Sequence, residues 1–321
     1  MKLNTILYAG AAILAATATP AMAVTFVTGD VFAAVGNGQV KHYTSAGVLI
    51  ETLNTGIAGS FNTGMAFDTG GNLYVTNFSA GNVTKLSNSG VIIPPNPFIS
   101  PGAGVESLVF NGAGDLLAAH GGQTKRYSST GTLLTTYNNT ADWIDLAADQ
   151  KTLFYTTEAG FVGRFDISTN TALANFSSIT TNGGTNAFAL RILANGDVVV
   201  ASGANVQQFN AAGAFLGSYD VTGINGFFAL NLDSANNTFW SGDVGTQNLY
   251  RFTLGNYGAN VSTQTIAAGG SLFGVAVFGE RTVAVPPVPE PSTWAMMIAG
   301  FGIVGFAMRA RTRKVTFASI A

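Results

Sequence analysis

The stretch Gly64–Ile93, GMAFDTGGNLYVTNFSAGNVTKLSNSGVII, decides the fold. It reads as an apolar run, a turn, a second run, a turn, a third run closing on the bulky Leu86, then a glycine turn and a fourth run. Four short strands joined by tight turns make one small antiparallel sheet. Such a unit buries its apolar faces only by stacking against copies of itself.

Two anchors show the copies. A polar residue opens the second strand at Asp30, Asn72, Asp115, Thr152, Asp197 and Thr238, at intervals of 42, 43, 37, 45 and 41. A bulky residue closes the third strand at Tyr43, Leu86, Tyr127, Phe165, Phe209 and Phe252, at intervals of 43, 41, 38, 44 and 43. Both series average about 42, the period of a four-stranded blade. The fold class is all-β, a six-bladed β-propeller. Glycine follows the third-strand anchor by four residues at Gly47, Gly90, Gly131 and Gly213, where a hairpin loop needs positive φ. Second strands such as Leu73–Val75 and Val198–Val200 are apolar on both faces, which suits strands sandwiched between blades.

The strand count predicts how the ring closes. The first unit begins directly at its second strand, Asp30–Val35, and a surplus strand, Ser271–Phe278, follows the sixth unit. Leu272–Phe278 is expected to complete blade 1, so that truncation before Leu272 removes the closure of the whole ring.

Between residue 24 and the tail that starts at Val288, nine Lys and Arg stand against 15 Asp and Glu, a net charge of about −6. That balance disfavours nucleic acid and anionic lipid as partners. The chain has no cysteine, so disulfides and thiolate metal sites are excluded and stability rests on packing.

The two ends of the chain carry targeting signals. Lys2, the apolar run Ile6–Ala16 and the small-x-small sequence Ala21-Met22-Ala23 form a signal peptide over residues 1–23, cleaved between Ala23 and Val24 by signal peptidase after passage through the general secretion machinery. The expected order then runs as a propeller over 24–284, a Pro-rich linker over 285–293, a transmembrane helix over 294–308 and a basic cytoplasmic tail over 309–321. The 15 uncharged residues Trp294–Met308 make roughly 22 Å of helix, short for a bilayer. Arg309, Arg311, Arg313 and Lys314 follow at once and fix that end on the cytoplasmic side.

Pro289-Glu290-Pro291, the glycine-containing helix and the basic cluster resemble the PEP-CTERM sorting signal of Gram-negative bacteria, although Val315–Ala321 extends past the usual end. The resemblance implies recognition of Pro289, Glu290 and Pro291 by an exosortase, a membrane transpeptidase. It also implies temporary retention in the inner membrane and delivery to the cell surface or an exopolysaccharide matrix, where exopolysaccharide or a surface protein is the expected partner. Gly64–Val75 is also similar to the NHL-type and streptogramin-lyase-type propeller repeat, with Leu108–Leu117 a partial match. This repeat implies the fold and little about chemistry.

Polar residues precede the inner strands at Asn62, Glu106, Asp142, Asn186 and Asn225. Gluconolactonase- and regucalcin-like propellers, which this arrangement resembles, hold a divalent cation at such a mouth with oxygen ligands. The offsets of these positions to their second-strand anchors run 10, 9, 10, 11 and 13, so they need not share a level. His42 is expected to pack locally and His120 has no acid/base partner in the sequence. Asp142 and Asp145, three apart in a strand, do not form a dyad. Trp240 and Tyr250 fit inter-blade packing, with a carbohydrate platform as the other reading. The expectation is therefore an exported, non-catalytic binding or structural propeller, with no catalytic residues, metal or cofactor assigned. A divalent-metal-dependent lactonase or lyase is the alternative.

Overall fold

The structure is a computed structural model that describes residues 24–234 and 237–280. The signal peptide with Ala21 and Ala23, the Pro289-Glu290-Pro291 motif, the helix 294–308 and the basic residues Arg309, Arg311, Arg313 and Lys314 lie outside the described residues. No helix among the described residues is long and apolar enough to cross a membrane.

The strands follow the repeat. Blade 1 begins with β1 (Val31–Gly36), β2 (Gln39–Tyr43) and β3 (Leu49–Asn54), and blade 2 holds β4 (Met65–Phe67), β5 (Leu73–Asn77) and β6 (Asn82–Leu86). Blade 3 is β7 (Val105–Phe110), β8 (Leu116–His120), β9 (Gln123–Tyr127) and β10 (Leu133–Tyr137). Blade 4 is β11 (Trp143–Leu146), β12 (Thr152–Thr156), β13 (Phe161–Asp166) and β14 (Thr171–Ser178). Blade 5 contains β15 (Leu190–Ile192), β16 (Val198–Ala201), β17 (Val206–Phe209) and β18 (Phe215–Asp220). Blade 6 contains β19 (Phe227–Leu232), β20 (Thr238–Asp243), β21 (Asn248–Thr253) and β23 (Ser262–Ala267). The short β22 (Gly258–Ala259), on the way from β21 to β23, leaves blade 6 and pairs parallel with β18 at the outer edge of blade 5. The last strand, β24 (Gly274–Val277), pairs antiparallel with β1 from Val31↔Val277 to Ala34↔Gly274.

Six inner strands therefore surround one axis, each touching the next: β24, β4, β7, β11, β15, β19 and back to β24. Their neighbours are tied by hydrogen bonds that run between blades. Thr63 Oγ1 donates to the Glu106 carbonyl at 3.0 Å, Ser107 Oγ accepts from Ile144 N at 3.2 Å, and Val277 N donates to Asn231 Oδ1 at 3.1 Å. The third-strand anchors Tyr43, Leu86, Tyr127, Phe165, Phe209 and Phe252 are all buried. They fill the wedges between sheets with β-branched and aromatic neighbours. Gly47, Gly90, Gly131 and Gly213 all have φ between 75° and 83°, as the hairpin loops require.

Two features depart from the regular repeat. The fourth run of blade 2, read at Val91–Ile93, shrinks to single bridges, Leu86↔Ile92 and Val83↔Ile99. Pro94, Pro95 and Pro97 interrupt it and have no N–H to offer a ladder. The addition of β22 to blade 5 extends that sheet and covers part of its outer edge.

A further pattern runs through the third strands. The residue before each buried anchor is His42, Lys85, Arg126, Arg164, Gln208 or Arg251. Five of these six reach an aspartate near the start of their blade's second strand. The pairs are His42 with Asp30 at 2.9 Å, Lys85 with Asp68 at 3.6 Å, Arg126 with Asp115 at 3.7 Å, Gln208 with Asp197 at 3.1 Å, and Arg251 with Asp233. His42 is fully buried, stacks on Phe32 and meets Glu51 Oε1 through its other ring nitrogen at 3.1 Å. It is a packing residue, as its position in a third strand suggests.

Closure leaves little room at one point. A methyl group on Gly274 would collide with the Thr63 carbonyl of blade 2, a backbone atom that cannot swing aside. Gly274→Ala should lower the free energy of unfolding by about 1–3 kcal/mol, the usual cost of overpacking a tight contact. Gly70→Ala, whose methyl meets only the surface side chains of Asp68 and Asn72, should stay within about 0.5 kcal/mol of the parent. Urea unfolding followed by tryptophan fluorescence separates the two, and equal midpoints would show that the seam tolerates a methyl there.

Candidate functional site

All six inner strands point the same way along the axis, so their first residues gather at one mouth of the channel and their last residues at the other. The entry mouth encloses a cavity of about 210 Å³ lined by Phe61, Thr63, Phe78, Glu106, Glu158, Phe228 and Phe273. Its aromatic rings touch edge to face: Phe61 and Phe273 at 5.4 Å between centroids, Phe228 and Phe273 at 5.6 Å, and Trp143 and Phe228 at 5.5 Å.

Two β-bulges aim side chains at this mouth. In β7 the pairing jumps from Val105↔His120 to Ser107↔Ala119, which leaves Glu106 unpaired in the ladder. In β19 it jumps from Phe227↔Asp243 to Ala229↔Gly242, which leaves Phe228 unpaired in the same way. A bulge turns one residue out of the pleat, and here each freed carbonyl is taken by the preceding blade. Thr63 Oγ1 donates to that of Glu106 at 3.0 Å and Ala189 N to that of Phe228 at 3.1 Å.

Glu106 is only 6% exposed, and among the described residues no donor meets its carboxyl with hydrogen-bond geometry. Burial first, and then the neighbouring carboxylates Asp142 and Glu158, together drive its pKa up to about 8. A smaller pull downward comes from the indole N–H of Trp143, which approaches the carboxyl but has no partner that satisfies hydrogen-bond geometry. Asp142 is raised too, by burial and then by Glu158. Two acids, Glu106 and Glu158, thus line the mouth in an aromatic frame, with the charge of Asp142 acting on Glu106.

The five polar positions before the inner strands do not converge. Asn62 is fully buried and turned into blade 2, where its Nδ2 donates to the Thr76 carbonyl at 3.0 Å and to Asn77 Oδ1 at 2.8 Å. Asn186 donates to the Glu158 carbonyl at 2.7 Å, and Asn225 is exposed. Only Glu106 and Asp142 share an electrostatic environment. Among the described residues no group of three or more His, Asp or Glu side chains is arranged to hold a metal ion. Sequence reasoning found Glu106 and Asp142, but it missed Glu158, which reaches the mouth from the loop between β12 and β13. Phe61, Phe228 and Phe273 were also missed. Each lies at or just before an inner strand, the one signal that marks them.

The other candidates fall elsewhere. His120 ends β8, and its pKa is held below the ordinary value by burial and by Lys125; its Nε2 has no partner. Trp240 and Tyr250 are buried between blades, so the carbohydrate platform is not formed. Asp145 lies at the opposite mouth from Asp142, so the pair separates along the axis. There Arg191 Nε donates to Glu280 Oε1 at 2.6 Å and Ile192 N donates to Asp145 Oδ2 at 2.8 Å. Burial raises Asp145 to about 6 against the opposing pull of Arg191. A second cavity of about 390 Å³ opens between blades 5 and 6 on that side. Several of its polar groups are already paired, Asp233 with Arg251 and Thr238, and Gln208 with Asp197.

The region beyond the propeller can now be compared with known proteins. Residues 287–314 are a PEP-CTERM protein-sorting motif. The motif implies an exported chain that is sorted at a membrane as an exosortase substrate. No curated protein matches the chain. Solved structures are similar to the propeller at low identity and show its fold alone. A chain of the nidogen/laminin complex has a TM-score of 0.61 at 14% identity, over 78% of this chain and 98% of that one. A protein of unknown function from Bacteroides caccae has a TM-score of 0.60 at 15% identity, over 78% and 99%. Virginiamycin B lyase from Staphylococcus aureus has a TM-score of 0.50 at 16% identity, over 68% and 75%.

The buried acid gives the domain a characteristic pH response. The unfolded chain releases the Glu106 proton near 4.5 and the folded chain near 8. Between those values the folded state holds more proton, so stability falls as pH rises, by up to about 1.4 kcal/mol per unit in mid-window, and levels off above. Asp142 adds to the same sign. Glu106→Gln should remove most of the decline, so that melting temperatures at pH 5 and 8.5 move together. A parent chain that melts higher at pH 8.5 than at pH 5 would contradict the assignment.

Proposed function

We propose that this protein is a surface- or matrix-associated binding propeller without catalytic activity, released or displayed after an exosortase acts on Pro289-Glu290-Pro291. The sorting motif at 287–314 carries the reading. It follows a domain whose last described residue, Glu280, is fastened to Arg191 at the exit mouth. The first described residues lie at the same face, where Gly29 N donates to the Phe278 carbonyl at 2.9 Å. The chain therefore enters and leaves the disc on one side, and the acidic aromatic mouth opens on the other. That mouth is the face on which a ligand or a partner such as exopolysaccharide or a surface protein would be met.

The non-catalytic part of this reading rests on the chemistry of the mouth. Among the described residues, the charged groups that act on Glu106 and Asp142 are themselves acids, with no cation beside them to polarise a bond. The five positions that a lactonase- or lyase-like metal centre would use scatter between the blade interior, the mouth and the surface.

The mature chain is expected to begin at Val24 and to end near Glu290, as intact-mass analysis of the extracellular or surface fraction would read. Replacing Pro289-Glu290-Pro291 by three alanines should shift the protein to the inner-membrane fraction with its tail intact. Unchanged mass and unchanged distribution in that variant would defeat the proposal.

A further inference from the structure

We propose that the entry mouth is a binding site for a small organic cation, an ammonium group bearing carbon substituents, held by Glu106 and Glu158 among the rings of Phe61, Phe228 and Phe273, with the charge of Asp142 nearby. This deepens the binding reading given above and rests on it.

The charge at the mouth is unbalanced. The charged neighbours that act on Glu106 are Asp142 and Glu158, and the one that acts on Asp142 is Glu158, so the cluster is acid against acid. Glu106 is nine-tenths buried, lines the cavity and accepts no hydrogen bond, and the buried Trp143 indole beside it lacks a partner. Buried polar groups are almost always satisfied, and a group left open at a cavity wall is met by water or by a ligand that displaces it. A cation supplies what both acids and cavity lack.

The surroundings select the kind of cation. Calcium takes six to eight oxygens at about 2.3–2.6 Å and magnesium a near-ideal octahedron, whereas these carboxylates do not converge on one point. Apart from Thr63, whose hydroxyl is engaged with the Glu106 carbonyl, the rest of the wall is phenyl rings, which offer no oxygen ligands. Rings do attract a soft, weakly hydrated ammonium through their quadrupole, most strongly where water is excluded. Size sets the other limit. A dry cavity of about 150 Å³ accepts benzene, so the 210 Å³ recess here takes in a group of on the order of ten non-hydrogen atoms, with anything larger left outside the mouth.

The test uses the full chain and isothermal titration with choline, with benzylammonium, and with 3,3-dimethylbutan-1-ol, the neutral carbon isostere of choline. The charged probes should bind at a single site, and the isostere at least about tenfold more weakly. With the titration run at pH 9, where Glu106 is ionised, Glu106→Gln should weaken choline at least about tenfold, and Phe228→Leu several-fold. Phe61→Leu, at the exposed rim, gives a second aromatic variant that does not disturb the core. Calcium chloride should not displace choline. Equal binding of choline and its isostere, an unaltered affinity in Glu106→Gln, displacement by calcium, or no binding of either ammonium would each overturn the inference. Sorting is read separately from chain mass and fractionation. Loss of ammonium binding with sorting intact removes this inference alone.

Discussion

The pairing of β24 with β1 is the constraint on which the rest depends. Each blade is a small sheet whose two faces are covered only by its neighbours, and a row of six such sheets would end in two bare faces. With no disulfide available, the chain joins its last strand to its first through the register Val31↔Val277 to Ala34↔Gly274. The seam is also tied sideways, because Val277 N reaches Asn231 in blade 6 and Gly274 lies directly against Thr63 in blade 2. One strand thus touches three blades, and its small residues are what allow the approach. The same closure fixes where the inner strands begin and end, and so defines two chemically different mouths.

Much of this was legible in the sequence because repetition amplifies weak signals. One alternating run is ambiguous, but buried Tyr43, Leu86, Tyr127, Phe165, Phe209 and Phe252 recur with glycine at a set distance after four of them. That combination requires a hairpin and a wedge at each recurrence. The third-strand residue before each anchor carried a further signal, since His42, Lys85, Arg126, Gln208 and Arg251 all reach aspartates. Reading it needs the strand register, which tells which aspartate faces which side chain. The interrupted fourth strand of blade 2 was legible in principle from Pro94, Pro95 and Pro97. The excursion of β22 to blade 5 was not, because a parallel contact between two residues of one blade's connection and another blade leaves no local pattern.

The mouth was legible only in part for a physical reason. Position before an inner strand places a residue near the axis but does not say whether the side chain turns into the channel, into its own blade or into solvent. Asn62, Glu106 and Asn225 take one of these fates each. The choice at Glu106 and Phe228 is made by a bulge, a one-residue slip set by how the neighbouring blade captures a carbonyl. No spacing rule within one blade contains that information.

The two mouths treat buried acid in opposite ways, and the contrast bears on function. At the exit, Asp145 receives the amide of Ile192 and the field of Arg191, and Glu280 receives Arg191 and the amide of Leu232. Charges there are matched by the fold itself, as structural ion pairs are when they fasten a chain end. At the entry, Glu106 is more deeply buried than Glu280 yet receives nothing comparable, while two further acids push on it. A fold that matches its acids at one mouth and leaves them open at the other places its strain where the surface faces away from its own chain ends.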